Sequence, residues 1–283
     1  AAIRWIYENI RAFGGDPDNI TIMGQSAGAM SVQQLCLSPL TKGLVAKAVM
    51  SSGGGVSEMF GNTVPSHTMF GYWEEVMRAA GCRSLEEFRS IPPEELFRGW
   101  EAANRQQKVR GLTCTPCIDG QLVVRSGPEA VQAGEFLDIP YMAGSTSDDI
   151  APPVVFRMAK DWCRLQADQG CHAAYTWFFD RRLPGDQEGA WHSSDLWYWF
   201  GTLENCWRPF TGKDRQLSRE MTRYLTNFAK TGDPNGPDLA RWLPQEKGQN
   251  RVMRLGEQPS HMGGVNIAKL NETMRSSHAV GEG

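Results

Sequence analysis

The chain has 283 residues, 41% of them apolar, with ten tryptophans, a net charge of -3 and a pI near 6.0. That is enough apolar material for a sizeable core. It excludes a basic nucleic-acid-binding domain, because no Lys/Arg stripe is interleaved with aromatics, and no apolar run reaches the roughly 18–20 residues a membrane span needs.

The first element is an amphipathic helix: Ile3, Ile6, Ile10 and Phe13 recur on one face. Residue 1 already lies in that pattern with no cap before it, which points to a piece of a longer protein. The turn residues of GGDPDN (14–19) stop the helix. Ile20–Met23 then reads as a short buried strand, and Ala29–Leu37 as a helix. Between them stands Gly24-Gln25-Ser26-Ala27-Gly28, a G-x-S-x-G pentapeptide. Alone the pattern is weak, since turns collect small residues. Between a strand and a helix it is strong: the sharp turn pushes the serine out at the top of a sheet, the glycines admit nearby backbone, and the helix N-terminus favours a developing anion.

Further along, Val45–Met50 reads as a second buried strand, ending in SSGGG (51–55). Residues 84–109 read as helical, with a Ser84/Glu87 capping box and a new start at Pro92-Pro93-Glu94. Tyr141–Gly144 is a strand running into Ser145-Thr146-Ser147-Asp148-Asp149, and Ala173–Phe179 is an aromatic-rich strand. Leu217, Met221, Tyr224, Leu225 and Phe228 make one stripe of a helix over 215–230 that Gly232 ends. Val252–Leu255 is the last strand. Strands alternating with helices predict an α/β fold with a mainly parallel sheet and its site at the strand ends. We expect one domain over residues 1–283.

The seven cysteines are an odd, scattered set, which does not read as a disulfide framework and tilts towards a reducing, cytoplasmic setting. Cys114-x-x-Cys117 lacks a second ligand pair, so it reads as two ordinary thiols rather than a zinc site. No cofactor or metal is expected.

A nucleophilic serine needs an adjacent base, a group that fixes the base, and preset N–H donors for the oxyanion. The chain offers Ser, Asp and His in the α/β-hydrolase order. Of five histidines, His261 and His278 lie in polar loop or tail, His67 lies in a loop and His172 just before a strand. His192, after a turn in GAWHSSDLWYWFG, is the candidate base.

ENIRAFGGDPDNITIMGQSAGAMSV resembles the nucleophile segment of the type-B carboxylesterases, the family of the cholinesterases and of para-nitrobenzyl-esterase-like enzymes. AVMSSGG, CIDG, GSTSDD, GAWHSSDLWYWFG and NFAKTGDPNG are similar to later motifs of that family, so the resemblance covers nearly the whole chain. It implies an α/β-hydrolase fold, helices on both faces of the sheet, and a serine carboxylesterase that needs no cofactor. By motif register Ser26 is the nucleophile, His192 the base and Asp149 the acid. The Ala27 N–H is an oxyanion donor, Ser52 hydrogen-bonds the acid, and Asp195 is a supporting carboxylate.

Several departures matter. The acid is Asp where the family has Glu, and Asp148 sits beside it; on an extended chain only one of the two faces His192, and the register selects Asp149. Gln25 replaces a Glu, removing a charge that a cationic ester would use. Only 43 residues separate Asp149 from His192, which implies a compact, open site. The family's H-G-G-G oxyanion loop and first strands fall outside this chain. The expected partners are therefore a small-molecule ester and the N-terminal half of the same protein. Ester hydrolysis is the first reading. A non-catalytic binding protein of the same fold, or an inactive truncated remnant, is the alternative. Trp191, Trp197, Tyr198, Trp199 and Phe200 are candidates for pocket lining.

Overall fold

The computed structural model describes residues 1–56, 63–107 and 115–270. Cys114 and His278 lie outside the described residues. In chain order the elements are α1 (Ala2–Asn9), β1 (Thr21–Gln25), α2 (Ala27–Leu37), β2 (Lys47–Ser51), α3 (Phe70–Ala79), α4 (Leu85–Ser90), α5 (Pro93–Gln107) and α6 (Gly127–Gln132). Then follow β3 (Tyr141–Thr146), α7 (Pro152–Asp168), β4 (Ala174–Phe179), α8 (Leu196–Trp199), α9 (Gly212–Thr231), β5 (Met253–Leu255) and β6 (His261–Met262). The chain divides into two compact units, Ala1–Ser57 with Gly134–Gly283, and Glu58–Ala133.

The first unit holds one sheet in the order β1-β2-β3-β4-β5-β6, parallel throughout except for the antiparallel β6. Side chains alternate across it. Tyr175, Trp177 and Phe179 point to one face, where Tyr175 meets Phe228 of α9 edge-on at 6.2 Å and Trp177 meets Trp199 of α8 at 5.2 Å. Phe178 and Tyr141 point to the other, against Phe156 and Trp162 of α7 at 5.1 and 5.3 Å. Helices thus cover both faces, as the resemblance implies. Each fully buried ring contributes roughly 1.5–3 kcal/mol of transfer free energy. The stripe on α9 is real: Leu217, Met221, Tyr224 and Phe228 are all buried, and the helix ends at Gly232 with φ +82°.

The β1 end differs. Among the described residues β1 pairs only with β2, and each of its residues is half-buried. The stripe on α1 is present in sequence, yet α1 buries no residue and Trp5 and Phe13 are exposed. Among the described residues nothing covers that strand edge or the apolar face of α1.

In the second unit, α3 and α5 pack together, with Val76 and Ala103 fully buried and Tyr72 donating to Asn104 at 2.7 Å. The capping box at Ser84 is half formed. Ser84 Oγ accepts from Glu87 N, but the Glu87 carboxylate turns to Arg83 N, 2.6 Å away, instead of the cap residue. Sequence patterning singles out neither α3 nor α7. The latter opens on Pro152-Pro153, a residue type tolerated in the first turn of a helix.

Candidate active site

The strand register lines up one end of the sheet. Gln25 pairs with Ser51, and Ser51 with Gly144. Ser26 and Ser52, which follow β1 and β2, and the Ser147–Asp149 turn, which follows β3 two residues further on, therefore leave the sheet at the carboxyl ends of parallel strands.

Ser26 sits at φ 57°, ψ -123°, between β1 and α2. Its N–H donates to Ser51 O at 2.8 Å, and its carbonyl accepts from Met30 N, so the turn is clamped on both sides. Gly24 is required here: a Cβ would fall 2.2 Å from the Gly28 carbonyl. Gly53 is required too, because a Cβ would meet Ser26 O at 2.4 Å, whereas a Cβ on Gly28 meets open space among the described residues. The close backbone thus explains Gly24 but not Gly28. Ser52 (φ 51°) and Ser193 (φ 75°), beside the acid and after His192, also have positive φ. Among the described residues, three of the four non-glycine residues with positive φ cluster at these loops, which is where backbone strain collects at functional sites. Ala27 is the first residue of α2, so its N–H has no intrahelical acceptor.

Asp149 and His192 meet. His192 Nδ1 lies 2.6 Å from Asp149 Oδ1, with the carboxylate side chain fully buried and the imidazole 23% exposed. Burial alone would raise the carboxyl's pKa. The hydrogen bond and charge of His192, the neighbouring Ser52 hydroxyl and the Ile150 N–H outweigh it and hold Asp149 below the usual carboxylate range. An ionised Asp149 only accepts, so Nδ1 carries the proton and Nε2 of a neutral His192 presents its lone pair. Gln25 Nε2 lies 3.2 Å from that nitrogen. Among the described residues no hydrogen bond engages Ser26 Oγ.

Asp148 faces the other way, as alternation requires. Its carboxylate accepts from Gly189 N at 3.2 Å, its own N–H donates to Ala190 O, and it bridges to Trp191. It ties down the loop that carries His192. Trp191 is held further by Asp186 at 3.0 Å, by Trp197 edge-on at 5.6 Å and by Arg208 over its ring.

Ser52 Oγ makes no hydrogen bond of ordinary geometry, yet it lies close enough to Asp149 to help hold its carboxyl down. Thr146 supports the acid as well, donating from Oγ1 (3.0 Å) and N (3.3 Å) to Asp149 Oδ2. Ser51, one residue earlier and so on the other side of the strand, donates to Asp195 at 3.0 Å, as does Trp199 Nε1. Thr146 and Ser51 were not singled out in sequence. The only signal was their place beside the acid and the strand end. Of the aromatic candidates, Tyr198 and Trp199 belong to the core, Trp191 and Trp197 are half-buried, and Phe200 is exposed.

Asp195 is fully buried. Burial pushes its pKa up to about 6, the Ser51 and Trp199 hydrogen bonds pull it down, and the Asp149 charge pushes it up again. A raised carboxyl stabilises the fold fully below the unfolded value near 3.8 and loses that contribution as pH rises through about 6. Asp149, held low, works in the opposite sense. We therefore expect Asp195→Asn to raise the thermal midpoint at pH 8, by a stability increment on the order of 3 kcal/mol at most, and to change it little at pH 4. Equal shifts at both pH values contradict the assignment.

The remaining histidines lie elsewhere. His67 is exposed in a turn of the second unit, His172 is exposed and paired with Asp138 at 2.8 Å, and His261 is exposed with Nδ1 2.8 Å from Pro259 O. The cysteines that the structure describes are free, and burial pushes Cys36 and Cys163 up to about 12. Among the described residues no three His, Cys, Asp or Glu side chains are grouped to hold a metal. No helix among them is long and apolar enough to cross a membrane.

A parallel sheet with helices on both faces and a strained G-x-S-x-G turn at its carboxyl edge define an α/β-hydrolase. Residues 1–168 and 154–274 match the carboxylesterase family, and the chain belongs to that family. It is 25% identical over 291 residues to the para-nitrobenzyl esterase of Bacillus subtilis, covering 83% of this chain and 58% of that protein. It is 25% identical over 344 residues to the bile salt-activated lipase of Bos taurus, covering 91% of this chain and 56% of the other. A solved structure of a thermophilic para-nitrobenzyl esterase superposes with a TM-score of 0.78 at 22% identity, over 93% of this chain and 64% of that one. The chain thus spans little more than half the length of these curated relatives.

Proposed function

We propose that the protein is a serine carboxylic-ester hydrolase acting on small or medium neutral esters through an acyl-enzyme. The observation that carries this reading is the 2.6 Å Asp149–His192 contact, with His192 Nε2 3.2 Å from Gln25, the residue before Ser26 on its strained turn. Ser26 Oγ attacks the ester carbon while its proton passes to His192 Nε2, and the carbonyl electron pair moves to oxygen. The oxyanion is met by the Ala27 N–H and by donors from upstream residues of the same protein. Collapse expels the alkoxide, which takes the proton from His192, and water repeats the sequence to release the acid. Asp149 stays ionised and stabilises the imidazolium. The bare edge of β1 and the uncovered stripe of α1 support upstream residues as the missing cover.

Gln25 in place of a carboxylate supports neutral substrates. With the protein extended through its upstream residues, we expect hydrolysis of p-nitrophenyl butyrate at a kcat/KM at least about tenfold above that of a butyryl ester with a cationic alcohol. A preference for the cationic ester contradicts the substrate class. Turnover of neither ester contradicts the hydrolase and returns the reading to a binding protein.

A further inference from the structure

A neutral imidazole has one lone pair in the ring plane, and His192 offers it at Nε2 because Asp149 fixes the proton on Nδ1. Gln25 Nε2 stands 3.2 Å from that atom. Only an amide N–H can face it there: the amide oxygen would demand a second ring proton. Gln25 ends β1 and Ser26 is the next residue, so two neighbouring side chains compete for a single acceptor.

We infer that Gln25 is a latch on the general base: it caps His192 Nε2 in the resting site and swings away before the Ser26 hydroxyl is activated. The inference rests on the hydrolase reading and deepens it. Gln25 is a positioning residue, acting on Ser26 through His192. Because its amide is neutral, it blocks the base without favouring the imidazolium; a carboxylate in its place would accept from Nε2–H and hold the ring charged. The other ionisable groups around the base are Asp149 on Nδ1, the buried Asp195 behind Asp149, Asp148 on the preceding loop, and the Asp186–Arg208 pair around Trp191. Each of them is left in place by a change at Gln25.

The test is the rate at which a neutral fluorophosphonate labels Ser26 as a function of pH, with Ser26→Ala as the blank. Gln25→Met, nearly isosteric and without a donor, and Gln25→Ala should label about two- to tenfold faster than wild type near pH 7, the worth of one released hydrogen bond. Gln25→Glu should move the acidic limb of the profile upward by about one pH unit, a change that a merely structural residue would not produce. If Met and Ala label at or below the wild-type rate and the glutamate profile is unmoved, the latch is overturned. Nitrogen-15 spectra of His192 guard against a misfolded variant: the Nε2 resonance should move towards that of a free lone pair in Gln25→Met, and no movement overturns the contact. If wild type shows no Ser26-dependent label, the hydrolase reading falls and the latch with it. If wild type labels and the Gln25 variants match it, only the latch falls.

Discussion

Replacing Ser26 by alanine lowers ester turnover by about 10⁴- to 10⁶-fold, with the fold intact. Among the described residues the serine hydroxyl makes no hydrogen bond, so its loss removes the nucleophile and little else. The backbone at φ 57°, ψ -123° costs on the order of 1–3 kcal/mol for any residue with a Cβ. Ser26→Gly should therefore be just as inactive yet more stable than Ser26→Ala in urea titration. Residual turnover within tenfold of wild type in either variant would place the nucleophile elsewhere. Equal stability of the two would show that the turn is unstrained.

Asp149→Asn lowers kcat by about 10⁴-fold near neutral pH. The carboxylate fixes the proton of His192 on Nδ1 across 2.6 Å, and an amide can present a donor there instead, turning the lone pair away from Ser26. Asp148→Asn tests the alternative acid. Among the described residues that carboxylate accepts only the Gly189 N–H, so its loss loosens the base-bearing loop and costs about tenfold or less. A reversed ranking of the two variants in steady-state kinetics would hand the role to Asp148.

The turn around Ser26 was legible because its chemistry is local. A strand, a glycine that nothing larger can replace and a helix start all lie within one short stretch. Alternation said only that one of Asp148 and Asp149 can face His192; the choice of Asp149 came from the motif register, and it is the Asp149 carboxylate that lies 2.6 Å from His192 while Asp148 accepts from Gly189 N. The partner of the acid was not legible in the same way. Sequence register pointed to Ser52, whose hydroxyl helps hold the carboxyl down, but the hydrogen bonds to Asp149 Oδ2 come from Thr146, three residues away. Ser51 finds Asp195 across 144 residues, a pairing no local pattern encodes. Gln25 was read as a missing charge. Its contact with His192 depends on a rotamer and on a chain segment 167 residues distant, and neither can be read from spacing. The stripe on α1 was legible, but the surface it should face is absent among the described residues, so the pattern predicts a helix without predicting its burial.

The most direct test of the account is peptide mass spectrometry of the protein, extended through its upstream residues, after brief reaction with p-nitrophenyl butyrate and acid quench. The account predicts a single butyryl group on the peptide containing Ser26, lost in Ser26→Ala and accumulating in Asp149→Asn only on much longer exposure. A butyryl group on any other residue, or full turnover with Ser26 unmodified at every quench time, would contradict it.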